Sequence, residues 1–416
     1  MKKISLFYLI KLFMSNFNLI IHNLIRRHLS LIVLAVSSLS FFLSNILLKD
    51  LLSDIQYGLY SIIVTYIALL SLFGLFGCDQ VLLRTSTIDK KVLIVDYRVI
   101  YIMLFISLGV SLFSTYIICM YYDFSVNYFS LFLLSFSAIL IRLSYQTSRM
   151  LSMFTFSQLT LNLWKIGLLF FIFFGVCINR DITLHVIILC LLTFCLLSLA
   201  SFIPFFARVK LKRLDYTSSY LLKLGSGFFI AMMSVSLLSF LDRFIIEQKF
   251  GLEQMGDYFF FVNLYLYPFI LVSTYIGFKE LVAFKKEFDM FLFKKRLIRI
   301  IIFSILSGSI YFIIIVVLER IGVYDFRISA HIKLIFALMI FGVIKIISSL
   351  LSAAMGARAH VKDLKKVNIF TIFLFIVLLI SVPLCSSMLD IVFLFIFIWV
   401  LRYSMYFILL LNQYRD

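Results

Sequence analysis

Charged residues and proline are scarce in this sequence. Only 14% of its 416 residues are Asp, Glu, Lys or Arg, against about 25% in soluble domains. A soluble fold of this length needs a polar surface, so the shortage of charge excludes a water-soluble protein. Three prolines and fifteen glycines exclude collagen-like, linker-rich and disordered chains.

Residues with reactive or metal-binding side chains are also few. The six cysteines and five histidines are scattered without metal-ligand spacing, and no nucleophile, phosphate-loop or zinc motif occurs. The predicted outward loops are too short for an external catalytic domain. The sequence therefore predicts no metal site, no cofactor and no enzymatic activity.

The chain is rich in apolar residues, which make up 63% of it, and its mean hydropathy is +1.12. Runs of about 20 apolar residues match the thickness of a bilayer, and their lack of period-2 alternation excludes a membrane barrel. We expect an all-α integral membrane protein with about twelve transmembrane helices. The predicted spans are 29–48, 57–77, 99–120, 124–141, 154–177, 182–206, 225–246, 258–278, 297–318, 334–354, 369–389 and 391–411.

The distribution of Lys and Arg predicts the orientation of the chain. With the connections numbered alternately, one set holds 27 of the 38 cations and the other set holds six. Since Lys and Arg concentrate in cytoplasmic loops, both termini are expected in the cytoplasm. The net charge of +18 then follows from topology and needs no nucleic acid as a partner.

Residues 1–28 are apolar but interrupted by polar side chains. A thirteenth span there would place Lys2 and Lys3 on the opposite face from Arg26 and Arg27. We therefore expect an amphipathic helix at the inner membrane surface.

An internal repeat divides the chain. Asp54-Ile-Gln-Tyr-Gly58-Leu-Tyr60 opens the second span, and Glu253-Gln-Met-Gly256-Asp-Tyr258 opens the eighth. Their offset of 198 residues also superimposes spans one and three on spans seven and nine. The repeat predicts an N-terminal six-helix bundle over 1–206 and a parallel C-terminal six-helix bundle over 207–416.

Two segments carry a family resemblance. DIQYGLYSIIVTYIALLSLFGLFGCDQVLLRTS (54–86) and FLDRFIIEQKFGLEQMGDYFFFVNLY (240–265) resemble the signatures of polysaccharide-biosynthesis membrane proteins. These are the Wzx-type flippases of O-antigen or capsule repeat units, in the multidrug/oligosaccharidyl-lipid/polysaccharide (MOP) exporter superfamily, whose fold is MATE-like. The resemblance implies transport across a bacterial inner membrane without a cofactor, with proton or sodium coupling left open. The implied partners are a lipid-linked oligosaccharide and the polymerase and chain-length regulator of the same lipopolysaccharide pathway.

Three other functions fit parts of the pattern. A multidrug exporter of the same superfamily would carry acids in its cavity, whereas this chain offers cations. An O-antigen polymerase or ligase would need a large outer loop with catalytic basic residues. A structural scaffold would need no charges within the membrane.

Two cations lie at the predicted midplane. Arg402 and Lys345 are each the twelfth residue of a 21-residue span, about 15 Å from either end. A charge at that depth must face protein or water, and no acid is predicted at comparable depth. We expect both side chains to line a water-filled cationic lumen that attracts the pyrophosphate. The alternatives are packing against backbone carbonyls, or span ends that differ from the predicted ones.

The remaining charges have more local interpretations. Lys165 is expected either to join the lumen or to reach the inner interface. Arg84, Arg142 and Arg149 are expected to be positive-inside anchors. The Asp242–Arg243 pair, near the predicted outer end of span seven, predicts an ion pair at the rim or, alternatively, a gating or coupling site.

Overall fold

The structure is a computed structural model, and it describes residues 6–89, 92–124, 126–178, 181–358 and 361–413. Helices dominate it, as the long apolar runs require. The helices are α1 (Leu6–Leu51), α2 (Asp54–Phe73), α3 (Cys78–Thr85), α4 (Tyr97–Tyr121), α5 (Tyr128–Met150), α6 (Phe154–Cys177), α7 (Leu184–Phe202), α8 (Ser218–Phe261), α9 (Tyr267–Lys286), α10 (Met290–Arg320), α11 (Ile328–Arg358), α12 (Val361–Ser381) and α13 (Met388–Gln413). Short 3₁₀ turns follow α7 and α12, and a π-helical turn, Val262–Leu266, joins α8 to α9.

Eleven helical segments of the described chain are long and apolar enough to cross a membrane. One of them, Ser218–Leu281, is 64 residues long and contains the two predicted spans 225–246 and 258–278. Gly251 divides it, with φ of 87° and ψ of 175°. Only glycine adopts that conformation without strain, so the chain turns there. The prediction of a multi-pass α-helical membrane protein is confirmed, while its arrangement as two parallel six-helix bundles stays a prediction.

A small β-sheet is the one departure from an all-α fold in the described chain. Strand β1 (Thr87–Asp89) pairs antiparallel with β2 (Val92–Asp96), and β2 pairs parallel with β3 (Val209–Lys212). On β2, Leu93 and Val95 are fully buried. Strands this short have too few alternating positions for a sequence pattern to identify them.

Contacts divide the chain into two compact units. The first comprises Met1–Ser44 and Gly74–Gly225, and the second comprises Asn45–Phe73 and Ser226–Asp416. This division differs from the predicted boundary at residue 206. Helix α2 belongs to the second unit, whereas residues 207–225 belong to the first.

Two sets of contacts account for this division. Gly58 brings α2 against the backbone of Leu252, within the second unit. In the first unit, Arg98 Nη2 donates to the carbonyl oxygens of Leu214 (2.9 Å) and Tyr216 (2.7 Å). The linker between the repeats is thereby fixed to the start of α4.

Small residues allow α9 and α11 to approach closely in the second unit. The sequence predicts such packing from two rows of small residues at four-residue spacing: Ser348, Ser352 and Gly356, with Ser349, Ala353 and Ala357 beside them. In the structure, the Ser349 hydroxyl donates to the Ser273 carbonyl oxygen at 2.5 Å. A side chain at Gly277 would meet the Ser349 hydroxyl at 2.4 Å. The predicted close packing of this helix is confirmed.

The first helix is longer than its predicted span. Helix α1 runs from Leu6 to Leu51, so the backbone of the segment predicted as an interfacial helix is helical from residue 6. Residues 1–5 lie outside the described residues. The placement of this segment at the membrane surface stays a prediction.

Asp96 organises the predicted cytoplasmic end of the first unit. Its carboxylate accepts from Arg98 Nη2 at 2.6 Å and from Leu214 N at 3.2 Å, and it caps α4 by accepting from Arg98 N at 3.0 Å. These hydrogen bonds, above all the one from the Arg98 side chain, lower the pKa of Asp96 below its ordinary value.

We predict that Asp96→Asn lowers the thermal unfolding midpoint of the purified protein and weakens its pH dependence in acid. Because the folded-state pKa is depressed, the carboxylate stabilises the fold above the ordinary value of about 3.9. That contribution is lost as the pH falls through the folded-state pKa. Unfolding in detergent, followed from about pH 3 to about pH 7, measures the effect.

Asp89→Asn is the matched control, because Asp89 is an exposed acid of the same sheet. Equal effects of the two substitutions on the unfolding midpoint would contradict the role given to Asp96.

Candidate functional site

Four of the five predicted site residues lie in the second unit. Helix α8 carries Asp242 and Arg243, α11 carries Lys345 and α13 carries Arg402. We call these four residues the cationic cluster. Lys165 lies on α6 of the first unit.

Arg402 is enclosed by hydroxyl groups and aromatic rings, and only 5% of its surface is exposed. Its Nη2 donates to the hydroxyl of Tyr406 (2.6 Å), its Nη1 to the hydroxyl of Tyr403 (3.3 Å) and its Nε to Thr371 Oγ1 (3.2 Å). Its guanidinium carbon also lies 5.3 Å from the ring centroid of Trp399. These neutral partners allow the charge to be buried without a carboxylate.

Lys345 is half-buried, and its closest neighbours are aromatic. Its Nζ lies 3.2 Å from the ring centroid of Trp399 and 4.8 Å from that of Phe341. The Lys345 ammonium makes no hydrogen bond or ion pair with the described residues. Its N–H donors have no oxygen acceptor among the described residues, which leaves capacity for one.

Asp242 is buried, with 5% of its surface exposed. Its Oδ2 accepts from the hydroxyl of Tyr258 at 2.5 Å, whereas its Oδ1 has no hydrogen-bond partner among the described residues. Tyr258 is the tyrosine of the second Gly-x-Tyr motif. The contact thus fixes the Asp242 carboxylate to the helical segment beyond Gly251.

Arg243 faces α2. Its Nη1 donates to Thr65 Oγ1 at 2.8 Å, and its guanidinium carbon lies 5.0 Å from the ring centroid of Phe259 and 5.3 Å from that of Phe240. Its Nε has no hydrogen-bond partner among the described residues. The ion pair predicted between Asp242 and Arg243 is absent from the ion pairs of the described chain, because each side chain is engaged with a different helical segment.

Asp242 is an acid that interacts with the predicted midplane cations, and the expectation that no acid shares their depth stays a prediction. Asp242 lies within electrostatic range of Lys345, which in turn interacts with Arg402. Helix α8 extends beyond its predicted span to the turn at Gly251, nine residues after Asp242, which corresponds to about 14 Å. Three cations and one carboxylate consequently share this part of the second unit.

The other predicted cations have local partners in the first unit. Lys165 Nζ donates to Asn162 Oδ1 at 2.9 Å and lies 5.6 Å from the ring centroid of Trp164. The guanidinium carbons of Arg142 and Arg149 each lie 5.3 Å from the ring centroid of Tyr145. Their assignment as membrane anchors stays a prediction.

The aromatic and hydroxyl partners of the cationic cluster are candidate site residues that the sequence did not predict. Trp399, Arg402, Tyr403 and Tyr406 occupy positions i, i+3, i+4 and i+7 of α13, which form one face of a helix. This spacing around a membrane arginine is a signal that could have identified them. By contrast, Thr65 and Thr371 reach the cluster from distant helices, and no local pattern indicates them.

No protein-family model matches the chain, and no curated protein or solved structure is detectably similar to it.

We predict that Trp399→Leu destabilises the second unit by at least about 2 kcal/mol, the strength of a desolvated cation–π contact. The substitution leaves the Lys345 ammonium without its nearest ring. The substitution also removes the hydrogen bond from Trp399 Nε1 to the Leu238 carbonyl oxygen. Thermal or chemical unfolding in detergent measures the change. Phe397→Leu is the control, since Phe397 lies on the same helix with 55% of its surface exposed. A loss for Phe397→Leu as large as that for Trp399→Leu would contradict the predicted contact.

Proposed function

We propose that this protein is a flippase, which moves polyprenyl-pyrophosphate-linked oligosaccharides from the inner to the outer leaflet of the cytoplasmic membrane. The Lys345 ammonium carries this proposal. It lies within a membrane-spanning helix among aromatic rings, and no oxygen acceptor of the described chain binds it. Such a group favours an anionic oxygen ligand strongly, because burial weakens competition from water.

The chemistry of the cargo matches this environment. A polyprenyl tail can remain in lipid, whereas sugars and phosphates require donors and positive charge along their path. Lys345 and Arg243 are both half-buried and keep unused N–H donors, so they are the cations available to phosphate oxygens.

Arg402 has a different part in this proposal from the one expected from sequence. Its donors are already directed at Thr371, Tyr403 and Tyr406. It therefore holds the two tyrosine side chains in place, and its charge adds a long-range positive potential. Asp242 is the candidate coupling residue, because its free Oδ1 can take a proton or contact a sodium ion.

Alternating access would carry the head group past the cluster while the tail stays in lipid. The cluster's excess of two positive charges favours an anionic cargo over the cationic drugs of a multidrug exporter. No step of this process breaks or forms a covalent bond.

We predict that deletion of the gene leaves lipid-linked repeat units in the inner leaflet and abolishes surface polymer. A plasmid copy should restore the polymer, whereas Lys345→Gln should restore it poorly at normal expression. Gel analysis of the polymer and leaflet-specific labelling of the lipid-linked units measure the result. Lys294→Gln, which removes an exposed charge on α10, is the matched control and should restore the polymer fully. Polymer in the deletion strain would refute the proposal.

We also predict that ligand binding changes the fluorescence of Trp399. The chain has two tryptophans, so Trp164→Phe leaves Trp399 as the only one. In nanodiscs, a short-chain polyprenyl-pyrophosphate disaccharide should shift its emission, and the same disaccharide on an uncharged lipid should not. Lys345→Gln should weaken the response at least about tenfold in apparent affinity, as expected for loss of a charge-assisted hydrogen bond. Equal responses to the charged and uncharged lipids would contradict the assignment.

A further inference from the structure

The two copies of the Gly-x-Tyr motif pack directly against each other. A Cβ atom on Gly58 would lie 2.1 Å from the Leu252 carbonyl oxygen. A Cβ atom on Gly256 would lie 3.3 Å from the Asp54 carbonyl oxygen and 3.3 Å from the Gly58 amide nitrogen. The helices meet backbone to backbone here, which only glycine permits.

This contact is reciprocal. The repeat offset of 198 residues maps Gly58 onto Gly256 and Asp54 onto Leu252. Gly58 contacts Leu252, and its repeat equivalent Gly256 contacts Asp54, the repeat equivalent of Leu252. The two contacts are therefore related as in an isologous interface around a two-fold axis. The resemblance between the motifs is thus explained by one shared packing site.

Ionic contacts surround this packing site at its predicted outer end. Lys49 Nζ lies 2.6 Å from Asp54 Oδ1 and 2.8 Å from Asp257 Oδ1, so α1, α2 and α8 are linked by one ammonium. The Tyr324 hydroxyl donates to Asp50 Oδ1 at 2.8 Å. These residues line a cavity of about 240 Å³.

Aromatic rings separate this ionic network from the cationic cluster. Lys49 Nζ lies 5.4 Å from the ring centroid of Tyr57. The Tyr57 and Tyr60 rings contact Phe259, at centroid distances of 6.0 Å and 6.1 Å. Phe259 in turn lies against Arg243. The rings of α2 and α8 thus form a continuous series of contacts from Lys49 to Arg243 within the second unit.

We propose that Lys49, Asp54, Gly58, Gly256 and Asp257 form a latch that opens and closes the outer side of the transport path. The inference rests on the proposed transport function, because a cargo at the cluster can leave outward only if these helices separate. The contacts suit reversible opening. The glycine surfaces interlock without large side chains. The Asp54 side chain is 59% exposed, so this carboxylate can exchange its ion pair with Lys49 for hydration.

Distance measurement by pulsed electron paramagnetic resonance tests this proposal. Spin labels replace Ile55 and Gln254, which are exposed on either side of the contact, in a background without the six native cysteines. In nanodiscs, the unmodified latch should give a dominant short distance and a minor longer one. Gly58→Ala should make the longer distance dominant, because its methyl group would collide with the Leu252 carbonyl oxygen.

Gly227→Ala is the matched control. Gly227 lies on α8, and a Cβ atom there would meet no atom within 4 Å, so the distances should not change. Lys49→Gln, which leaves the backbone unaltered, should also increase the longer population and serves if Gly58→Ala does not fold. A single short distance in the parent protein and in Lys49→Gln would overturn the latch.

These outcomes distinguish a failure of the latch proposal from a failure of the flippase proposal. A single distance in a protein that still supports surface polymer rejects the latch and leaves the flippase intact. Two distances in a protein whose deletion leaves the polymer unchanged support the latch and reject the cargo.

Discussion

The free-energy cost of placing a cation within a membrane-spanning helix constrains the whole second unit. Arg402, Lys345 and Arg243 together cannot be neutralised by Asp242 alone, so the fold surrounds them with hydroxyl groups and aromatic faces. Supplying those partners requires α2, α8, α11, α12 and α13 to converge. The same contacts therefore pack these helices together and form the candidate site.

The same constraint explains why the cluster retains binding capacity. A guanidinium has five donors in a fixed fork, and the hydroxyls around Arg402 occupy its three nitrogens. An ammonium over an indole ring is stabilised electrostatically, but the ring does not satisfy the N–H donors as an oxygen acceptor would. Lys345 is thus tolerated in the absence of a ligand and still gains from an anionic one. This balance suits a transporter, which must bind its cargo and release it.

The glycine contact between the motif copies gives a structural meaning to the internal repeat. Close backbone approach in membranes depends on small residues, because lipid provides no hydrophobic force to press helices together. Gly58 and Gly256 allow it at one position, and the ion pairs of Lys49 lie immediately beside it. The proposed latch depends on this combination of small contacting surfaces and ion pairs to one shared ammonium.

The sequence by itself determined the features that depend on local composition. Apolar runs indicated membrane helices, because only a helix satisfies its own backbone in lipid, and the positions of Arg402 and Lys345 within their spans marked them as unusual. Only the tertiary structure decided their partners. Thr65 and Thr371 approach the cluster from other helices, and Tyr258 approaches it from beyond the turn at Gly251. Helix α2 packs with the second unit through Gly58. Such contacts join residues that are far apart in the chain, and no periodicity within one helix encodes which neighbour it will meet.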